Sequence, residues 1–184
     1  MSRKIAVIVG SLRKASLNRL TATALAELAP QGLTLEIVEI GDLPFYDQDL
    51  DEGAPPAEWV RFRETIAAHD GVLFVTPEYN RSVPAVLKNA IDVASRPYGG
   101  SAWSGKPAGV VSVSMGGAGG FGANHHLRQS LVFLDMPTLQ QPEAYFGNAG
   151  TFFDNDGKLV NEGTKTVMKT FIDAYARWVE KVLG

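Results

Sequence analysis

Short β-branched runs alternate along the chain with longer stretches in which apolar residues recur every three or four positions. The runs at Lys4–Val9, Leu33–Ile40, Gly71–Thr76, Ala108–Ser114 and Thr138–Gln141 predict five strands. Between them, Leu17, Leu20, Ala24 and Leu28 mark one helical stripe, and Trp59, Phe62 and Ile66 a second. The cleanest stripe is Val83, Val86, Leu87, Ala90, Ile91 and Ala94. Leu127, Leu131 and Leu134 mark a fourth helix, and Val167, Phe171, Tyr175, Trp178 and Val182 a fifth that closes the chain. Strands alternating with helices demand right-handed crossovers, and therefore a parallel sheet.

Five strands, each followed by a helix, predict an α/β fold with the flavodoxin-like layout. This is a three-layer sandwich in which a five-stranded parallel sheet of order 2-1-3-4-5 carries helices on both faces. In such a sheet a ligand binds at the carboxyl edge, where the strand order reverses. Candidate ligand residues should therefore follow strands 1, 3 and 4. The chain has 184 residues, shows no Pro-, Ser- or charge-rich linker and no internal repeat, and reads as a single domain over residues 1–184.

Composition narrows the chemistry. Seventeen Lys plus Arg against 20 Asp plus Glu leave a net charge of -3, which gives no global electrostatic reason to expect nucleic acid or an anionic membrane as partner. With no Cys, disulfides, thiolate metal sites and cysteine nucleophiles are excluded, so redox chemistry would need a cofactor. The apolar run Ile5–Val9 is too short for a signal-peptide core or a membrane span, so a cytoplasmic protein without membrane insertion is expected.

Three loops carry candidate chemistry. After strand 1, Gly10-Ser11-Leu12-Arg13-Lys14-Ala15-Ser16-Leu17-Asn18 leads straight into a helix, whose N-terminal N–H groups and dipole favour an anion. Ser11, Arg13, Ser16 and Asn18 are the candidates for a phosphate monoester; the bland alternative is that Ser16 only caps the helix. The loop matches neither the dinucleotide glycine fingerprint nor the Walker A pattern, so a mononucleotide fits better. After strand 3, Thr76-Pro77-Glu78-Tyr79-Asn80-Arg81-Ser82-Val83-Pro84 offers a backbone limited by two prolines, a flat aromatic face and an amide for a heterocycle edge. After strand 4, five glycines fall within the seven positions Gly116–Gly122, where backbone can approach a planar ligand closely.

These residues together resemble the NADPH-dependent FMN reductases of flavodoxin-like fold, in particular their chromate, quinone and azo-compound reductase branch. The likeness runs through G-S-L-R-K-x-S-x-N at Gly10–Asn18, T-P-E-Y-N at Thr76–Asn80 and V-L-K-N-A-I-D at Val86–Asp92. It continues through Gly116-Gly117, H-L-R-Q-S-L-V-F-L-D at His126–Asp135, and the closing helix. The resemblance implies tightly but non-covalently bound FMN, with NADPH or NADH as reductant. Ser11, Arg13, Ser16, Leu17 and Asn18 would hold its phosphate end. Pro77, Glu78, Tyr79 and Asn80 would wrap the ring and ribityl chain, with Ser114 and Gly117 on the far side. Hydride would pass from NAD(P)H to the flavin N5 and then to a quinone, chromate, azo compound or free flavin at the same face, implying ping-pong kinetics. Backbone N–H groups around Glu78 to Asn80 would stabilise charge on the ring, so no protein acid–base dyad is required.

The resemblance also implies a homodimer or homotetramer with a polar interface network of an arginine, a tyrosine and a glutamate. Glu143 matches the glutamate, whereas Gly122 and His125 stand where the other two are expected. The rival reading is a flavodoxin-like electron carrier with the same FMN loops and no reductase activity of its own. Such carriers are typically more acidic than this chain. The acidic stretch Asp47, Asp49, Asp51 and Glu52 reads as a solvated loop or a subunit contact, and Asp154-Asn155-Asp156-Gly157 as a hairpin turn.

Overall fold

A computed structural model describes residues 2–184; Met1, the first residue of the expected domain, lies outside the described residues. Five strands, β1 (Arg3–Val9), β2 (Leu33–Val38), β3 (Gly71–Thr76), β4 (Ala108–Val113) and β5 (Ala144–Phe146), form one sheet in the order β2-β1-β3-β4-β5. Every neighbouring pair is parallel. The order matches the sequence expectation and brings the ends of β1, β3 and β4 side by side.

Period-2 alternation explains how this sheet is covered on both faces. Ile5, Val7 and Val9 of β1, with Leu73 and Val75 of β3, point into one core. That core is closed by helices α1 (Leu17–Glu27) and α6 (Glu162–Leu183). Their neighbours Ala6, Ile8, Val72 and Phe74 point the other way, against α3 (Ala57–Ala67), α4 (Ala85–Ala94) and α5 (Phe121–Phe133). Trp59, Trp103 and Tyr175 are the largest side chains fully enclosed, and each donates a hydrogen bond to a backbone carbonyl, so burial leaves none of these polar tips unpaired.

Three expectations are corrected. The last strand lies at Ala144–Phe146 rather than Thr138–Gln141, where only Thr138 makes an isolated bridge, to Ala108. Pro137 and Pro142 bracket that stretch and supply no N–H to a ladder, so pairing resumes only beyond them. The acidic stretch forms a short helix, α2 (Gln48–Gly53), capped by Asp47. One of its residues, Asp51, is not solvated: both carboxylate oxygens accept from Arg63, at 2.7 and 2.9 Å. The stripe beginning at Val83 becomes helical only at Ala85, because Pro84 occupies the N-cap in an extended conformation. The Asp154–Gly157 turn is found as expected, with Phe153 bridging Leu159 in antiparallel fashion. No helix among the described residues is long and apolar enough to cross a membrane.

Candidate functional site

A cleft opens at the carboxyl edge of the sheet, lined by Ser11, Arg13, Ser16, Leu17, Asn18, Pro77, Glu78, Tyr79, Val113, Ser114 and Met115. Nine of the sequence candidates therefore converge. Asn80 sits beside the cleft at an exposed hairpin tip and Gly117 on the exposed glycine loop. Val113 and Met115 were missed; their only sequence signal is that they flank Ser114 where β4 ends.

The first wall is the start of α1. Ser16 is its N-cap, with Oγ accepting from Arg19 N at 3.2 Å. The N–H groups of Leu17 and Asn18 belong to the first turn, where the helix itself provides no acceptor. No acidic side chain sits in that turn, so the positive end of the dipole is uncompensated. Ser11 and Asn18 are buried, and the Asn18 side-chain oxygen has no hydrogen-bond partner. A buried amide left unsatisfied by its own chain marks a place where another group completes the structure.

The second wall is a two-residue hairpin. Tyr79 N donates to Ser82 O at 3.1 Å and Ser82 N to Tyr79 O at 2.9 Å, while Asn80 and Arg81 take φ of 52° and 64°. Positive φ at both central positions defines a type I′ turn, whose twist suits a tight reversal but strains residues other than glycine. It spends the Tyr79 N–H internally, so of the three amides from Glu78 to Asn80 that one faces its own turn. Tyr79 leaves its ring about half exposed beside the cleft.

Glu78 lines the cleft, but its carboxylate is engaged behind the hairpin. Oε1 accepts from Arg81 at 2.8 Å, and Oε2 accepts from Ala123 N, in the first turn of α5, at 3.0 Å. Burial works to raise its pKa, but the Ala123 and Gly122 N–H groups and the Arg81 guanidinium outweigh it and hold the carboxyl below the usual carboxylate range.

The third wall is the glycine loop, folded over the end of β5. Ser114 N donates to Phe146 O, Ser114 Oγ accepts from Gly116 N, and Gly119 and Gly120 take φ of 61° and 75°. A side chain on Gly147 would lie 2.5 Å from Gly117 O, so Gly147 is what lets this loop lie flat.

Behind the loop, His125 and His126 diverge. His125 Nε2 meets the Tyr145 hydroxyl at 2.8 Å and His126 Nδ1 meets Ser82 Oγ at 2.8 Å. Partial burial, then the neighbouring Glu143 carboxylate, pushes the Tyr145 phenol up to about 12. Tyr145 of β5 thus stands between Glu143 and His125 of α5.

Known proteins resemble this chain along most of its length. Residues 3–151 match the family model described as NADPH-dependent FMN reductase. A quinone reductase of Pseudomonas putida is 64% identical over 176 residues, covering 96% of this chain and 94% of the relative. A 2-hydroxy-1,4-benzoquinone reductase of Burkholderia sp is 48% identical, covering 97% of both. Among solved structures, a flavoenzyme NAD(P)H:(acceptor) oxidoreductase from Paracoccus denitrificans superposes with a TM-score of 0.91 at 41% identity, over 97% of this chain and 98% of that one.

Proposed function

The chain belongs to the NADPH-dependent FMN reductase family and is an oxidoreductase that uses FMN and NAD(P)H; on that premise we propose that the cleft holds the flavin and that quinones are its principal electron acceptors. The observation that carries the reading is the junction of β1 and α1. There buried Ser11 and Asn18, the Ser16 hydroxyl and an uncompensated helix N-terminus meet in one cleft with Arg13. The Ser11 and Ser16 hydroxyls, the Arg13 guanidinium and the first-turn N–H groups are donors and fit a phosphate monoester, while the orphaned Asn18 oxygen is an acceptor that suits a ligand hydroxyl such as one of the ribityl chain.

In this reading a single domain over residues 1–184 does the work, in the cytoplasm. Ser11, Arg13, Ser16, Leu17 and Asn18 bind the phosphate end. Pro77, Glu78, Tyr79 and Asn80 form the lip along the ring, with Ser114 and Gly117 opposite. When bound, FMN supplies the hydride chemistry, coupling NAD(P)H oxidation to reduction of a quinone, and of chromate, azo compounds or free flavin, in a ping-pong sequence. The protein's own part is to orient and to shield. Tyr79 covers one edge of the cleft, and the glycine loop lets backbone N–H groups approach without side chains between. The relatives named as quinone reductases support quinones as acceptors. Val132 and Phe133, 78% and 77% exposed at the end of α5, support a homodimer or homotetramer.

The test is direct. The purified protein should carry a flavin absorbance released by acid, bleached by NADPH or NADH and restored by a quinone. Initial rates with both substrates varied should give parallel double-reciprocal lines. A protein that cannot be reconstituted with FMN refutes the reading.

A further inference from the structure

The hairpin after β3 and the first turn of α5 are far apart in sequence and are joined by one carboxylate. Residue 120, the N-cap of α5, is a glycine and caps nothing, and no acidic side chain lies in the first turn. Phe121 N is met by Ala118 O of the preceding loop, and Ala123 N is met from a distant part of the chain, by Glu78 Oε2 at 3.0 Å. The other oxygen holds Arg81, inside the hairpin, at 2.8 Å. Arg81 and Asn80 are consecutive non-glycine residues in the left-handed region, a conformation that persists only where surrounding contacts impose it. A second contact, Ser82 Oγ to His126 Nδ1 at 2.8 Å, ties the same hairpin to the next turn of α5.

Gly122 completes the arrangement. A Cβ there would lie 2.9 Å from Glu78 Oε2 and 3.1 Å from Arg81 O. A methyl group there would press on both the seated carboxylate and the hairpin backbone. The Glu78 side chain is only 10% exposed, against 82% for Arg81, so the carboxylate is the fixed member of the pair and the guanidinium the outer one.

We propose that Glu78 is a positioning residue: from behind the hairpin its carboxylate caps α5 and latches the strained Tyr79–Ser82 turn to it, and in this chain the bare Gly122 leaves that carboxylate room. The side chain of Glu78 then acts on the flavin site only through the hairpin. This rests on the reading above that Tyr79 borders bound FMN.

The experiment follows backbone amide exchange in the flavin-free protein, FMN affinity, and kcat and KM for NADPH with a quinone, in Glu78→Ala, Glu78→Gln and Gly122→Ala. Glu78→Ala should speed exchange at the Ala123 and Ser82 amides at least tenfold and weaken FMN binding by a similar factor, with kcat falling more than KM changes. Glu78→Gln keeps an oxygen for Ala123 N–H and should recover most of both. Gly122→Ala should reproduce the Glu78→Ala pattern although the carboxylate remains, and near-native melting of the Gln variant separates this from misfolding. Weakened FMN binding with native amide protection would overturn the proposal and make Glu78 a direct flavin ligand, as would unchanged exchange and affinity make it a bystander. If the wild-type chain fails to bind FMN while Glu78→Ala still loosens the hairpin, the flavin reading falls and the latch stands.

Discussion

Replacing Gly147 by alanine separates the architecture of the glycine loop from its contact with a ligand. A Cβ at position 147 would lie 2.5 Å from Gly117 O, 2.9 Å from Gly117 C and 3.0 Å from Gly116 O. Carbon–oxygen contacts begin near ~3.3 Å, so the loop must retreat by about 0.8 Å, and every atom in the way is backbone. Gly147 has no left-handed φ, so the whole effect is steric. Overpacking of this kind costs about 1–3 kcal/mol. For a chain of this size that lowers Tm by roughly 2–12 °C, measured on the flavin-free protein by calorimetry. Displacing the loop should also weaken FMN binding about tenfold, the loss of one backbone hydrogen bond. The paired variant is Gly117→Ala, whose Cβ meets nothing within 4 Å. It should leave the melting of the flavin-free protein unchanged while lowering FMN affinity, if the ring approaches backbone there. Equal destabilisation by the two variants, or none by Gly147→Ala, would refute the reasoning.

Ser16→Ala removes both the N-cap of α1 and a phosphate donor, so the flavin-free protein should lose about 1 kcal/mol in chemical denaturation, and FMN affinity should fall as well. Arg13 is exposed, and Arg13→Ala should leave the fold intact by circular dichroism while raising the FMN dissociation constant roughly 10- to 100-fold, the worth of a charge-assisted hydrogen bond. Tyr145 ionises at about 12, above the usual tyrosine value of 10.0, so its contribution to stability is complete below pH 10 and lost as pH rises towards 12. Urea unfolding of Tyr145→Phe should accordingly be less sensitive to pH across that range than the wild type.

What could be read from the chain divides along sequence distance. The apolar runs of β1 and β3 and the stripe on α4 are local signals, and they suffice for sheet order and for locating three loops at one edge. The last strand escaped because Thr138–Gln141 has strand composition, while the prolines flanking it, not its side chains, decide where pairing occurs. Within the site, residue types were legible and their engagements were not. Glu78 in T-P-E-Y-N looks like a ring contact, yet the partner that fixes its carboxylate lies 45 positions away in α5. Gly147 carries no motif, and only the loop folded against it shows why it has no side chain. Tyr145 likewise stands next to His125 through the sheet, not through the helix periodicity that a sequence reading follows.

Quinones are Michael acceptors as well as oxidants, and protein thiolates are their usual casualties. This chain has no cysteine, and the sulfur lining its cleft is the thioether of Met115, 66% exposed. A thioether resists arylation yet accepts an oxygen atom, turning an apolar side chain into a polar one. The Met115 methyl end lies close over Gly150, where a Cβ would come within 2.8 Å of it, so the added oxygen has little room on the side of the 3₁₀ turn Ala149–Thr151. With added hydrogen peroxide as the oxidant, which gives up one oxygen and leaves as water, Met115 is the cleft side chain expected to be oxidised, and the chain has no thiol to form a covalent quinone adduct.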